Sequence, residues 1–318
     1  MKTAIGTDID YARKLLTAGE LVAIPTETVY GLAANAFDER AVAKIFSAKN
    51  RPLFNPLIVH VSGIDQVRSI VKHIPPAAEK LIAKFSPGPL TILLPRNEKV
   101  PDIVTAGLPE VAIRIPSHPL TLELLHKLDF PLAAPSANPF GYISPTSAQH
   151  VQKVLSGKIP YILDGGKSNA GIESTIVGFN NGSPVIYRQG IITKEDMEEL
   201  VGPVALNQSK KPVAPGMLES HYSPHTALYL SEDIDTLIQN FNSKEVGLIT
   251  YEDYSKLLPA EQQILLYKSG DLNAAARNLY AALHEMDERG YKAIVVKKLP
   301  EQGIGIAIND RLTRAAHR

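Results

Sequence analysis

The stretch Pro25-Thr26-Glu27-Thr28-Val29-Tyr30-Gly31-Leu32 crowds hydroxyls and a carboxylate before a glycine, directly after the short apolar run Leu21-Val22-Ala23-Ile24. Lys49-Asn50-Arg51-Pro52 follows, with two cations two residues apart. Far downstream, Pro135-Ser136-Ala137-Asn138 ends another apolar run. A hydrophobic core has no use for such groups. A site for an anion and a small polar substrate does, and in open α/β sheets such sites lie beyond the carboxyl ends of strands.

Each residue also has a plainer explanation. Lys49 and Arg51 could be a solvated helix end, where cations favour the dipole. Against this, Arg51-Pro52-Leu53-Phe54-Asn55-Pro56 sets two prolines and an amide in a short, rigid loop. Arginine grips phosphate with a planar fork and lysine acts as a point charge, so one of each suits a polyphosphate. A lone histidine at a strand end, such as His60, is more often structural; its neighbours favour a substrate contact. Arg114 stands inside Val111-Ala112-Ile113-Arg114-Ile115-Pro116, where a charge is costly unless paired. Its partner is either a protein carboxylate or a substrate carboxylate. Ser136 and Asn138 are common turn formers, and in Glu173-Ser174-Thr175 the polar groups could cap a strand. Arg188 follows Val185-Ile186-Tyr187 as a strand ends. The repetition carries the argument, because several strands of one domain end in groups that bind anions or hydroxyls.

Three tempting motifs fail. Asp164-Gly165-Gly166-Lys167-Ser168 lacks the earlier glycine of a phosphate loop, whose place is taken by Tyr161. Gly303-Ile304-Gly305 lacks the third glycine of a dinucleotide fingerprint. His221 and His225 are separated by Pro224 and have no third ligand, so no metal site is expected.

The elements that must position these groups alternate. Asp8 and Asp38 are placed to cap amphipathic helices. Strands are predicted at 21–24, 57–61, 90–94, 111–115, 131–134, 161–163, 174–179 and 185–187. Helical patterns lie near 64–72, 76–85, 118–128, 145–156 and 193–200. Strands outnumber helices late in this part, which predicts a mixed sheet. Residues 207–224 are polar and proline-rich, with the turn signal Pro215-Gly216. Strands at 228–230, 246–249, 264–267 and 294–296, with helices at 232–242, 272–289 and 305–316, predict a second, smaller α/β domain.

The chain has 318 residues, 44% of them hydrophobic, room enough for two domains. No apolar run approaches a membrane span, and the N-terminus lacks the apolar stretch of a signal peptide. Cysteine is absent, which excludes disulfides and thiolate chemistry. A cytoplasmic location is therefore expected. Basic and acidic residues number 33 each, so a general nucleic-acid-binding surface is not expected.

These motifs together resemble the L-threonylcarbamoyladenylate synthases of the longer, two-domain form. The resemblance rests on Pro25–Leu32, on Lys49-Asn50-Arg51 with Ser136-Ala137-Asn138, and on Glu173-Ser174-Thr175-Ile176. Val213-Ala214-Pro215-Gly216-Met217, His221-Tyr222-Ser223-Pro224 and Asn309-Asp310-Arg311-Leu312 extend it over nearly the whole chain. It implies a YrdC-like twisted mixed sheet with flanking helices (residues 1–206), a linker or lid over the nucleotide site (207–224) and a Rossmann-like α/β domain (225–318). It implies that L-threonine, bicarbonate or CO2, and ATP with Mg²⁺ give threonylcarbamoyl-AMP and pyrophosphate. The product would pass to a tRNA-modifying threonylcarbamoyl transferase complex, with at most a weak tRNA contact. By resemblance, Lys49, Arg51, Asn55, Ser136, Asn138, Ser144, Arg188 and Tyr222 would hold ATP, with Lys49 and Arg51 catalytic. Thr28, His60, Arg114 and Ser174 would hold threonine, with Arg114 on its carboxylate. The alternatives are an RNA-binding module of the same fold and transfer of an unsubstituted carbamoyl group, as in hydrogenase-maturation proteins.

Overall fold

The computed structural model describes residues 2–209, 214–217, 220–267 and 271–317. The chain divides into two compact units. The first comprises Met1–Phe140, Pro145–Asn169 and Glu173–Met217; the second comprises Gly141–Ser144, Ala170–Ile172 and Leu218–Arg318. Of the expected linker, 214–217 thus fall with the first unit and 220–224 with the second, while 210–213 and 218–219, with Pro212 and Val213, lie outside the described residues.

In the first unit the chain runs β1 (Ala4–Gly6), α1 (Ile9–Thr17), β2 (Val22–Ile24), β3 (Gly31–Asn35), α2 (Glu39–Lys49), β4 (Ile58–His60), α3 (Ile64–Ile70), α4 (Pro76–Phe85), β5 (Leu90–Pro95), α5 (Asp102–Thr105) and β6 (Glu110–Arg114). It continues through α6 (Pro119–His126), β7 (Leu132–Ala133), α7 (Ala148–Leu155), β8 (Tyr161–Leu163), β9 (Thr175–Asn180), β10 (Ser183–Arg188), α8 (Lys194–Val201) and β11 (Ala205–Leu206). Asp8 and Asp38 cap α1 and α2 as the sequence predicts, the Asp8 carboxylate accepting from Tyr11 N at 2.9 Å. Asn50 ends α2 in the left-handed conformation (φ 52°), so the helix stops just after Lys49 and the chain turns into Arg51.

Among the described residues the strands form an eleven-stranded sheet in the order β1-β8-β2-β3-β7-β4-β6-β5-β9-β10-β11. It is mixed, as predicted. β4 and β6 are parallel, as are β5 and β9, while β5 and β6 are antiparallel. Residues registered across neighbouring strands share a face. His60 pairs with Arg114, Arg114 with Thr91, Thr91 with Ile176, and Ile176 with Arg188. These five residues therefore form one row across five strands. A register shift between Ile186 and Arg188 brings Arg188 opposite Ile176. His60, Arg114 and Arg188 end β4, β6 and β10, three strands running in one direction, which matches the strand-end placement expected from the sequence.

The alternate residues face the other way. Val59, Ile92, Ile113 and Val177 lie in the main core with side chains from α2, α4 and α7. On the row's own face, Ile58, Leu93, Ala112 and Ile176 form a small apolar cluster covered by Ala214 and flanked by Tyr187 and Met217. One face of the sheet is thus given to helix packing. Helices also cover part of this second face: Val22, Ile24, Ala33, Leu132 and Tyr161 pack there with α1 and α6, so its polar groups are confined to the row and its surroundings.

The second unit runs β12 (Ala227–Ser231), α9 (Ile234–Ile238), β13 (Val246–Thr250), β14 (Gln263–Leu265), α10 (Leu272–Glu288), β15 (Ala293–Lys297) and α11 (Ile304–Ala316). Among the described residues its four strands are all parallel, in the order β12-β15-β13-β14, which is the smaller α/β domain that the sequence predicts. Val246, Leu248, Ala293 and Val295 supply its core with Ile234 and Ile238.

Gly190 follows β10 where the chain runs back past the start of β9. A Cβ there would stand 2.5 Å from Glu173 O and 2.5 Å from Thr175 N, both backbone atoms that cannot swing away. Gly190→Ala is expected to lower stability by about 1–3 kcal/mol through backbone displacement. Urea unfolding checks this, and an unchanged midpoint would show that residues 173–175 give way freely.

Candidate active site

The site is built from the row outward. Arg114 is buried, with a side chain 5% exposed, and must be neutralised. Its Nη2 lies 2.7 Å from Glu27 Oε1. Nη1 donates to Thr28 Oγ1 at 2.8 Å and Nε to Gly88 O at 3.3 Å. The sequence left its anion open between a protein and a substrate carboxylate, and the structure supplies the protein one. Glu27 itself accepts from Ser117 N at 3.1 Å. Burial raises its carboxyl pKa, but the adjacent Arg114 charge, aided by main-chain donors, outweighs this and the net shift is downward.

The loop 25–30 makes this contact possible. It joins β2 to β3 at the end of the sheet where Gly31 bridges Ser136. From there Glu27 and Thr28 reach Arg114 at the carboxyl end of β6. Thr26 holds the loop in shape: its hydroxyl accepts from Thr28 N and Val29 N, both at 3.2 Å, and donates to Val29 O at 2.6 Å. Ser168 Oγ donates to Thr26 O at 2.9 Å, and Tyr30 OH donates to Gly166 O at 2.7 Å. The Asp164–Ser168 segment, unsuited to be a phosphate loop, thus serves as a brace.

His60 is buried beside Arg114, and its Nδ1 has no hydrogen-bond partner. Burial first, and the Arg114 charge second, push its pKa down to about 3, so the ring is neutral. Ser174 Oγ lies 2.7 Å from Thr91 Oγ1 and accepts from Arg188 Nη2 at 3.0 Å. Arg188 also donates through Nε to Ser174 O at 3.1 Å and through Nη1 to Pro215 O at 3.2 Å. A residue of the expected linker therefore stands on the row, next to the apolar cluster that Ala214 covers.

A second cluster gathers the paired cations. Lys49 is 1% exposed, and its ammonium is held by the main-chain oxygens of Ser136 and Asn138 rather than by a carboxylate. Burial and the nearby Arg51 charge hold its pKa well below the ordinary lysine value. Arg51 donates to Asn55 Oδ1 at 2.7 Å and to Pro56 O at 2.8 Å, with Phe140 6.0 Å from its guanidinium carbon. The solvated helix-end explanation for these cations is thereby removed. Asn55 Nδ2 is buried without a partner.

Lys49, Arg51, Asn55, Ser136 and Asn138 thus come together, as do Thr28, His60, Arg114, Ser174 and Arg188. Ser144 and Tyr222 belong to the second unit. There Ser144 O contacts His284 Nε2 at 3.2 Å, and Tyr222 (φ 66°) lies under Arg311, 5.5 Å from its guanidinium carbon, and stacks on Tyr280. Glu27, Thr91 and Pro215 were not singled out as site residues from the sequence. Only Glu27 had a signal there, as the carboxylate within the hydroxyl-rich loop. Among the described residues no group of three His, Asp or Glu could hold a metal, and no helix is long and apolar enough to cross a membrane.

Residues 14–190 match the Sua5/YciO/YrdC profile, described as Telomere recombination, and residues 192–317 match the profile described as Threonylcarbamoyl-AMP synthase, C-terminal domain. The chain belongs to the Sua5/YciO/YrdC family. It is 42% identical to a Bacillus subtilis protein named Threonylcarbamoyl-AMP synthase, over 97% of this chain and 92% of that one. A Pyrococcus abyssi protein of the same name is 40% identical, over 97% and 94%. The solved structure of Pyrococcus abyssi Sua5 complexed with L-threonine superposes with a TM-score of 0.89 at 38% identity, covering 99% of this chain and 97% of that one. Both units of this Sua5-like chain therefore have counterparts in one known fold.

The buried His60 makes stability depend on pH. The unfolded chain takes up a proton near pH 6.5, whereas the folded protein resists it down to about pH 3, so stability falls as the pH drops through this window and not above it. Between pH 7 and pH 5 this residue alone accounts for a loss of about 2 kcal/mol. His60→Gln is expected to flatten that dependence in urea unfolding, and an ordinary titration of His60 near pH 6.5 by NMR would contradict it.

Proposed function

We propose that the protein is a threonylcarbamoyl-AMP synthase, converting L-threonine, bicarbonate or CO2, and ATP to threonylcarbamoyl-AMP and pyrophosphate. One observation carries this reading. A buried ammonium without a carboxylate partner, Lys49, stands beside a second cation, and a separate row presents His60 and Arg114, with Ser174 held against its Thr91 and Arg188. The first arrangement suits a polyphosphate, and the second suits a small molecule with a carboxylate and a hydroxyl.

The chemistry follows from these residues. The threonine amine is carboxylated to a carbamate, whose oxygen attacks the α-phosphorus as pyrophosphate leaves. Such transfer is mostly positioning and charge stabilisation. Lys49, Arg51 and Arg188 meet the phosphate charge, with Asn55, Ser136 and Asn138 shaping the nucleotide side. Arg114 anchors the threonine carboxylate, while Thr28, His60 and Ser174 surround the amino acid. Because His60 is neutral, it can accept or donate a hydrogen bond without adding charge. The resemblance adds Ser144 and Tyr222 to the nucleotide set. Mg²⁺ would arrive with ATP, since the donors here are cationic or neutral and fit a metal carried on phosphate oxygens rather than a resident one. The Pro215 carbonyl on Arg188 and Ala214 on the apolar cluster support a lid that shields the labile carbamate and the mixed anhydride from water.

The product suits an acceptor enzyme that transfers threonylcarbamoyl to tRNA, and a cytoplasmic location fits this role. A non-catalytic RNA-binding module would need exposed cations along a surface, whereas Lys49, Arg51, Arg114 and Arg188 are all buried.

Pyrophosphate is expected only when threonine and bicarbonate are both present with ATP, with the adenylate detected by mass; equal release without threonine would refute the assignment. Lys49→Ala and Arg51→Ala are each expected to cost about 1.5–3 kcal/mol of nucleotide interaction, roughly 10- to 100-fold in kcat/KM, in protein whose circular dichroism shows the fold intact.

A further inference from the structure

Arg114 and Glu27 form an unusual ion pair. Their atoms Nη2 and Oε1 lie 2.7 Å apart, yet both are buried and neither makes an aligned hydrogen bond. Next to them stands a third buried atom without a partner, Nδ1 of His60. The other atoms of the pair are well held. Arg114 is fixed through Nη1 and Nε by Thr28 and Gly88, and Glu27 through Oε2 by Ser117 N. Three polar atoms are thus kept out of water in fixed positions with unused hydrogen-bonding capacity, and such groups are costly unless a ligand completes them.

The charges around the pocket decide which ligand that is. Beside the open atoms Arg114 contributes a positive charge and Glu27 a negative one, and His60 is neutral; the next charge along the row, Arg188, is engaged by Ser174 and Pro215 O. A bare carboxylate arriving at Arg114 would leave the Glu27 charge next to a second anion in a buried setting. An amino acid brings its own ammonium, and the distance between its two charged groups is comparable to that between the two side-chain charges. Opposed in this way, the pair and the zwitterion neutralise each other and satisfy the open atoms together.

We propose that Glu27 is a second specificity residue of the amino-acid pocket: its Oε1 receives the substrate ammonium while Arg114 takes the carboxylate, so the pocket selects a zwitterion over a simple carboxylate. This rests on the reading of Arg114 as the carboxylate anchor.

The probe is threonine compared with (R)-3-hydroxybutyrate, which keeps the carboxylate, hydroxyl and methyl groups and lacks only the amine. Calorimetry on the full-length protein is expected to give at least about ten-fold tighter binding of threonine, the scale of one charge-assisted contact. A smaller preference in the wild-type protein overturns the proposal and needs no variant. Glu27→Gln is expected to weaken threonine by about ten-fold or more while leaving (R)-3-hydroxybutyrate unchanged or tighter, because the pocket becomes net positive. Equal weakening of both ligands would reduce Glu27 to a support for Arg114 and overturn the specificity role. Glu27→Asp keeps the charge and is expected to retain the preference for threonine; its loss there counts against the proposal even where Glu27→Gln does not fold. Arg114→Gln separates the two readings. If it binds both ligands normally, the carboxylate anchor is wrong, whereas loss of both ligands with a failed Glu27 arm refutes Glu27 alone.

Discussion

A guanidinium buried to 5% exposure cannot stand without an opposite charge, and much of the first unit is arranged around that requirement at Arg114. The counter-charge comes from a loop, not from a neighbouring strand. To deliver Glu27, the chain must leave β2, cross from the Ser136 end of the sheet and still rejoin β3 in register. Thr26 ties that loop to itself, Ser168 ties it to the segment after β8, and Tyr30 ties it to Gly166. Losing any of these ties loosens the residues that keep Arg114 neutral. The charge and the local architecture are therefore one problem with one solution.

The pleat provides the second constraint. Alternation along β4, β5, β6 and β9 gives one face to the main core and the other to the row from His60 to Arg188. Packing on the core face fixes the register, and the register fixes which polar residues meet on the other side. A one-residue slip would send Arg114 into the helices and Ile113 into the site. The hydrophobic core is thus what makes the site reproducible, although no core residue takes part in the chemistry.

How much of this could be read from the sequence depends on the range of the interaction. The strands carrying His60, Arg114 and Arg188 were legible because their apolar runs are short and uninterrupted. Caps at Asp8 and Asp38 are local and were legible too. β3 was missed, because Gly31-Leu32-Ala33-Ala34-Asn35 is rich in alanine and has no strand preference of its own; its pairing with β2 and β7 decides its state. β1 and β11 are edge strands of three and two residues that exist only by pairing with β8 and β10. The need for an anion at Arg114 was legible. That the anion is Glu27, 87 positions earlier in the chain, was not, since nothing local specifies that contact. The short segments 141–144 and 170–172, which group with the second unit, were likewise beyond reach, because their membership rests on contacts distant in sequence.

The two clusters handle buried charge in opposite ways. At Arg114 the protein supplies the counter-charge, so the pocket is neutral before anything binds. At Lys49 it supplies only carbonyl dipoles, and burial holds the ammonium's pKa down. A neutral pocket favours a ligand with no net charge, and an under-compensated cation favours an anion that supplies the missing counter-charge. Binding a polyphosphate near Lys49 would raise that lysine's pKa and strengthen the very interaction that attracts it. The same chain can thus hold a zwitterion and a highly charged nucleotide without a basic surface, which is how a protein with 33 cations and 33 anions can still concentrate positive charge where a phosphate must be held.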